Sequence, residues 1–254
     1  MSEHEEGSTG MKENTQVHTG LLRFTLGIDE SRAYWAQVDP KVSPSSLQVF
    51  EESWFPHKSQ SRVVLIMRAL RMRYQAYPAA LEALHAWPNM DLYSATVIAH
   101  WHTQLADPLY RRFSAWVAQR RITGPGTIRK AEVVRWLENE YPERWAATTM
   151  GTWATKLLAA AAEVGLVSSR RDPRPLACPR VNDQALTYIL YLLRELRFQG
   201  SMVDNPYLSS VGLDGGVLAD RIGQLPDISL NRMGDLVELT FKAPSLVEWV
   251  GGSQ

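Results

Sequence analysis

The amino-acid sequence predicts a mainly α-helical protein that ends in a small mixed region. Apolar residues recur at helical spacing along most of the chain, and glycines concentrate after residue 200. Prolines that can open helices follow Ser43, Tyr77 and Asp107, and Ser43 and Asp107 can also cap them. These patterns predict helices over 45–53, 61–75, 78–86, 91–105 and 108–121.

Length and composition indicate a folded, cytoplasmic chain. Of its 254 residues, 45% are hydrophobic and 21% are charged, which is ordinary for a globular protein. No stretch approaches the roughly 18 apolar residues of a membrane span, and the polar first 19 residues lack the apolar segment of a secretory signal. The one cysteine, Cys178, excludes an internal disulfide framework. We therefore expect no membrane contact.

Four segments follow from composition and pattern. Residues 1–19 are polar and acidic, which predicts a disordered tail. Residues 20–122 predict a helical bundle, and residues 123–199 predict a second domain of helices with two short strands. Residues 200–254 predict a small α/β region with a strand at Leu236–Phe241.

The segment 123–199 has the element order of a winged helix-turn-helix. Thr127 is predicted to cap a helix that runs to Glu140. Thr148 is predicted to cap a second helix that Gly165 ends. Two short strands around the basic loop 168–175 follow, and a further helix is predicted from Asn182. In such a domain the second helix enters the major groove of DNA. The turn 141–147 is longer than the usual turn of that motif, and similar elements occur in domains that bind only proteins.

The basic residues are concentrated in the middle of a chain whose net charge is zero. Residues 107–180 hold 13 Lys and Arg against 7 Asp and Glu, whereas residues 1–60 and 181–254 each hold 5 basic and 9 acidic residues. A positive centre between negative ends can attract a polyanion.

The candidate nucleic-acid-binding residues follow from the faces of the second helix. Trp153, Leu157, Ala161 and Val164 form one stripe that is predicted to pack inward, and Glu163 lies with Lys156 on the opposite stripe. Hydroxyl and cationic side chains can bond bases or phosphates. The candidates are Thr148, Thr149, Thr152, Lys156, Arg170, Arg171, Arg174, Arg129 and Lys130.

The other motifs predict neither a metal site nor a catalytic site. His100 and His102 are two residues apart, so on a helix they point in different directions and favour packing over metal binding. Asp214-Gly-Gly216 lacks the setting of a phosphate loop and predicts a turn. Since no nucleophile elbow, Walker sequence or zinc signature is present, we expect no catalytic residues, no metal and no cofactor.

Several short sequences resemble a known family over roughly residues 20–250. They are Tyr77-Pro-Ala-Ala-Leu-Glu-Ala-Leu84, Ala106-Asp-Pro-Leu109, Thr152-Trp-Ala-Thr-Lys156, Ala162-Glu-Val-Gly-Leu166 and Tyr188-Ile-Leu-Tyr-Leu192. The chain resembles the BrxA family, the small non-enzymatic component of BREX bacteriophage-exclusion systems. The resemblance implies a helical N-terminal domain similar to the antitermination factor fold, a winged-helix region and binding of double-stranded DNA. It also implies a methyltransferase, an ATPase and a phosphatase-like protein of the same system as partners.

The sequence thus predicts a non-enzymatic DNA-binding component of a phage-defence system that binds duplex DNA through its central basic region. Three alternatives stay open at this point. The protein can be an adaptor that binds other proteins without touching DNA. Its N-terminal bundle can bind RNA, or the chain can be a hydrolase whose site matches no known motif.

Overall fold

The computed structural model describes residues 11–87, 89–233 and 236–252. Most of this part of the chain is helical, which confirms the predicted mainly α class. Helices α1–α13 are Gly20–Arg23, Ile28–Gln37, Ser46–Glu51, Gln60–Leu70, Pro78–His85, Leu92–Ala106, Pro108–Thr123, Lys130–Glu140, Ala147–Val164, Asp183–Arg194, Pro206–Ser210, Gly215–Gly223 and Leu246–Gly252. Strands β1–β6 are Met11–Lys12, Thr127–Ile128, Arg174–Pro175, Leu196–Arg197, Ile228–Met233 and Leu236–Phe241. None of the described helices has both the length and the apolar character needed to cross a membrane.

Side chains at the helix starts explain much of this architecture. The Asp107 carboxylate accepts hydrogen bonds from the backbone N–H groups of Leu109 and Tyr110, and Pro108 follows it in the first turn of α7. Asn182 caps α10 in the same way through the N–H of Ala185. The predicted helix 61–75 is continuous, but its last five residues form a π-helical segment, Arg71–Gln75.

Three predicted helix caps are wrong. The cap of α3 is Ser45 and not Ser43, so Pro44 lies before the helix. Thr127 lies in β2, where its backbone pairs with Pro175, so α8 begins only at Lys130. Thr148 lies inside α9, whose N-cap is Ala146. Trp145 packs against Trp153 with 5.4 Å between ring centroids, and this contact holds the chain just before the helix. The pairing of Thr127 with Pro175 therefore sets the start of α8, and a contact between side chains two turns apart accompanies the start of α9.

Residues 11–19 do not form the disordered tail that the composition predicted. Strand β1 pairs in parallel with β4, and the Asn14 side chain donates to the carbonyl of Ala106 over 2.9 Å. The Glu13 carboxylate lies 3.5 Å from the Arg111 guanidinium. These residues are ordered by polar contacts with the helical core, which an argument from low hydrophobicity does not consider. The rest of the predicted tail, residues 1–10, lies outside the described residues.

The buried apolar side chains form two clusters. The first unites α2–α6 with α10–α13, and the second unites α7, α8 and α9 with Leu21, Leu26, Ile128, Leu166 and Val167. The predicted segment boundaries divide the chain differently, because they assigned α7 to the bundle and α10 to the following domain. Packing between elements distant in sequence decides which core a helix joins. The exact domain limits stay a prediction.

A short crossing segment, residues 24–27, links the two clusters. Phe24 belongs to the first cluster and Leu26 to the second. The buried Arg73 guanidinium donates to the carbonyls of Thr25 and Leu26 from the π-helical side. From the other side, Glu163 of α9 accepts from the Thr25 hydroxyl at 3.2 Å and from the Leu26 N–H at 3.1 Å. Helix α9 is thereby fixed to the N-terminal helices.

Candidate nucleic-acid interface

A small antiparallel arrangement follows α9 and carries the basic loop. Strands β2 and β3 pair antiparallel, and an isolated bridge joins Val167 to Leu176. The N–H of Ser168 donates to the carbonyl of Pro175 over 3.0 Å, which closes the hairpin at its base. The loop 168–173 follows this bridge and is shorter than the predicted loop 168–175, because Arg174 and Pro175 form β3 and pair with β2. Gly165, with a φ of +89°, ends α9 and directs the chain into this hairpin.

Helix α9 has the two faces that its sequence predicted. Trp153, Leu157, Ala161 and Val164 are buried in the second cluster. On the other face Thr148 and Thr152 are exposed, and Thr149 and Lys156 are partly exposed. This face is open to a partner along the first half of the helix.

The exposed threonine hydroxyls of α9 donate to the helix backbone, so toward a partner they act as acceptors. The Thr152 hydroxyl donates to the carbonyl of Thr148 over 3.0 Å, and the Thr155 hydroxyl donates to the carbonyl of Gly151 over 2.9 Å. Such bonds to the preceding turn engage the hydroxyl proton and leave the oxygen lone pairs for an incoming donor. An amino group on a base edge is a donor of this kind.

The placement of Glu163 on the exposed stripe of α9 is wrong. Its carboxylate is engaged with Thr25 and Leu26 in the crossing segment and is only partly exposed. The α-helical period predicted the direction of this side chain, but the N-terminal segment covers that end of the stripe. The open face of α9 thus carries Lys156 without a neighbouring acidic side chain from the last turns.

The loop arginines differ in their surroundings. Arg170 and Arg171 are exposed, and the loop turns through the Ser169 hydroxyl, which accepts from the Arg171 N–H at 3.0 Å. Arg174 lies in β3 with only 14% of its side chain exposed, and its Nε donates to Asp172 Oδ1 over 2.8 Å. The three candidate arginines are therefore not equivalent.

Asp172 joins the loop to the start of α8. Its second carboxylate oxygen, Oδ2, accepts from the backbone N–H of Lys130 at 2.8 Å. Burial alone raises the pKa of Asp172, but the hydrogen bonds from Lys130 and Arg174 outweigh it, so the pKa lies below its ordinary value. The carboxylate is thus charged at neutral pH and holds Lys130 and Arg174 beside one another.

Five predicted cations are available on this surface. Arg129, Lys130, Arg170 and Arg171 are exposed and Lys156 is partly exposed. None of the five forms an ion pair with a carboxylate in the described part of the chain, whereas the nearby Arg120 pairs with Glu132. Unpaired cations of this kind can bind phosphate without first breaking a bond within the protein.

Sequence reasoning missed two residues of this region. The sequence presents Asp172 only as a member of a basic loop, and its role depends on a contact with Lys130, 42 positions away. Arg144 was not chosen either, although it is exposed, lies over the Trp145 ring at 5.3 Å and donates to the carbonyl of Val17. No local pattern indicates either contact.

The remaining motifs of the sequence, His100 with His102 and Asp214-Gly-Gly216, have structural roles. His100 Nδ1 lies 2.9 Å from the Tyr110 hydroxyl, and His102 Nε2 lies 2.7 Å from the Tyr188 hydroxyl. Burial lowers the pKa of His100 to about 3 and that of His102 to about 4, so both rings are neutral. No group of three or more metal-ligating side chains occurs among the described residues. The turn predicted at Asp214-Gly-Gly216 is wrong, because Asp214 is the N-cap of α12 and both glycines lie in its first turn, beside a cavity of about 610 Å³.

No protein-family model matches the chain, and no curated protein sequence matches it.

Proposed function

We propose that this protein binds duplex DNA through the open face of α9 and the hairpin loop 168–173. The observation that carries the proposal is the set of unpaired cations on the loop, at the start of α8 and on α9, next to the exposed threonines. Phosphate contacts from such cations supply most of the affinity of DNA-binding proteins, and side chains on a helix read the bases.

We propose in addition that α7 to β3 form a winged helix. The order of elements is helix, strand, helix, helix, short bridge, loop and strand, and their apolar side chains share the second cluster. In winged-helix proteins the second helix of the helix-turn-helix enters the major groove. Helix α9, at 18 residues, is about 27 Å long, which is enough to cross a groove about 12 Å wide.

The cellular role follows from the resemblance to the BrxA family, and it too is a proposal. In this role the protein is a cytoplasmic, non-enzymatic component of a BREX-type phage-defence system. Its DNA contact then supports a larger complex with the methyltransferase, the ATPase and the phosphatase-like protein of that system. No cofactor is needed for such a role.

A role as a protein-binding adaptor is the second candidate, and exposed apolar side chains favour it. Ile122, at the end of α7, is 70% exposed, and Leu47 and Val64 on α3 and α4 are about half exposed. Contiguous exposed apolar patches mark protein-interaction sites, and Leu47 and Val64 lie on two helices that pack against each other. An adaptor would use these surfaces and would not need the cations around α9.

Titration of a fluorescent duplex, followed by anisotropy, tests the proposal. The test variant replaces Lys130, Lys156, Arg170 and Arg171 with alanine. Loss of four phosphate contacts is expected to weaken binding on the order of 100-fold or more at about 0.1 M salt.

The matched control removes the same charge elsewhere. It replaces Arg32, Lys41, Arg68 and Lys242, which are exposed and lie outside the second cluster. We expect the control to bind within about threefold of the parent, since exposed charges far from the contact are screened. Equal weakening in both variants would show that net charge, and not this surface, determines binding, and an unchanged test variant would remove the surface from consideration.

A further inference from the structure

We propose, on the basis of the DNA-binding function above, that Asp172 is the positioning residue of this surface. Its carboxylate fixes loop 168–173 on the start of α8 and holds Arg174 against the protein. Arg170 and Arg171 are then the arginines with which the loop contacts phosphate, and Arg174 is a structural residue.

Asp172 connects the loop to the start of α8. The Glu132 carboxylate in the first turn of α8 accepts from the Arg129 backbone N–H at 2.7 Å, which leaves the N–H of Lys130 to find its acceptor outside the helix. Asp172 Oδ2 supplies one, because it accepts from the Lys130 N–H at 2.8 Å. A negative group is also favoured at this end of a helix, where the backbone N–H groups carry partial positive charge.

The same carboxylate also binds the side chain of Arg174. Asp172 Oδ1 accepts from Arg174 Nε at 2.8 Å, so both carboxylate oxygens are occupied. The Arg174 backbone pairs with that of Ile128, which is fully buried, so Asp172 is the contact that holds the side chain of Arg174 against the protein. The Asp172 carboxylate already neutralises the Arg174 guanidinium, so a phosphate gains less from Arg174 than from an exposed arginine that has no anionic partner.

The arginines at the tip of the loop differ from Arg174 in having no carboxylate partner. Arg170 and Arg171 are exposed, and neither pairs with a carboxylate in the described ranges. Their binding to phosphate displaces water and counterions alone. Because counterion release sets the salt dependence of DNA binding, each true phosphate contact steepens the plot of log affinity against log salt by about 0.9. The salt slope therefore reports the number of phosphate contacts, independently of any change in the stability of the folded protein.

The experiment measures salt slopes of duplex binding for a set of single and double variants. Arg170→Ala and Arg171→Ala are each expected to lower the slope by about 0.9, and Arg174→Ala is expected to leave it unchanged. Asp172→Asn frees Arg174, so the slope is expected to rise by about 0.9, and adding Arg174→Ala to that variant should remove the increase. Equal slope losses for Arg174→Ala and Arg170→Ala in the parent background would overturn the assignment.

A measurement on the free protein tests the positioning role separately. Asp172→Ala removes the acceptor of the Lys130 N–H, so its hydrogen exchange, measured by NMR, is expected to accelerate at least tenfold. Asp172→Asn retains an acceptor oxygen, and Arg174→Ala retains the carboxylate, so both should keep most of the protection. Unchanged exchange in Asp172→Ala would refute the positioning role even if DNA binding holds. A parent protein that binds no duplex would instead refute the proposed function and the phosphate assignment, while exchange would still decide the positioning role.

Discussion

Replacing Glu163 with alanine or with glutamine tests whether its carboxylate is exposed beside Lys156 or hydrogen-bonded in the crossing segment. Its spacing on α9 predicted an exposed carboxylate on the stripe of Lys156. In the structure the carboxylate instead accepts from the Thr25 hydroxyl and the Leu26 N–H. The two positions have opposite consequences, because an exposed acid on a DNA-binding face repels phosphate, whereas an acid in the crossing segment stabilises the fold.

The expected loss of stability follows from the two bonds. Alanine leaves the Leu26 N–H, next to a fully buried side chain, without its acceptor, and an unsatisfied buried donor costs about 1–3 kcal/mol. Loss of the Thr25 bond adds about 1 kcal/mol. Glu163→Ala is therefore expected to lower the free energy of unfolding by about 2–4 kcal/mol. Glu163→Gln retains one acceptor oxygen and should lower it by about 1 kcal/mol.

Urea denaturation followed by tryptophan fluorescence measures these differences, with an unchanged m-value as the control for a two-state comparison. Duplex affinity of folded Glu163→Gln should stay within about threefold of the parent, since the group lies at the far end of the face from Thr148. Unchanged stability of Glu163→Ala, together with tighter duplex binding by Glu163→Gln, would refute the structural position.

Three other predictions concern the core and the N-terminal segment. Leu157→Ala should lower the free energy of unfolding by about 2–5 kcal/mol, whereas the exposed Thr152→Ala should change it by less than about 0.5 kcal/mol; urea denaturation of both variants checks this. Asn14→Ala should lower the melting temperature, because its hydrogen bond to the carbonyl of Ala106, worth about 1 kcal/mol, is lost. An unchanged melting temperature in calorimetry would instead support the prediction that residues 11–19 are disordered. The pKa values of His100 and His102 lie below 6.5 in the folded state, so the unfolded chain binds protons first. The free energy of unfolding should then fall by about 1.4 kcal/mol per pH unit for each ring as the pH drops from about 6.5 to about 4. Denaturation at pH 7, 6 and 5 measures this slope, and replacement of His102 by glutamine should halve it.

Local sequence was sufficient to predict α3–α10, apart from some of their starts, and the inward face of α9, but it did not predict α1, α2 or α11–α13. A cap such as Asp107 followed by proline acts within one turn, so its effect can be read from neighbouring residues. The stripe through Trp153 and Leu157 likewise follows from the helical period, since the apolar side must be buried. Gly165 could be recognised because the end of α9 requires a positive φ.

Contacts between distant residues could not be predicted in this way. The order of residues 11–19 depends on acceptors such as the Ala106 carbonyl, and the start of α8 depends on the pairing of Thr127 with Pro175. The separation of Arg174 from Arg170 and Arg171 depends on Asp172, and three arginines close in sequence look alike without it. Sequence pattern therefore identified the candidate surface but not the bonds that arrange it.

Hydrogen exchange with mass spectrometry, with and without a duplex, locates the DNA-binding surface on the protein. We expect slower exchange in peptides from residues 147–156 and 168–174 when DNA is bound, with no change in α3 and α4. Slower exchange confined to the N-terminal helices, with those two segments unaffected, would contradict this expectation.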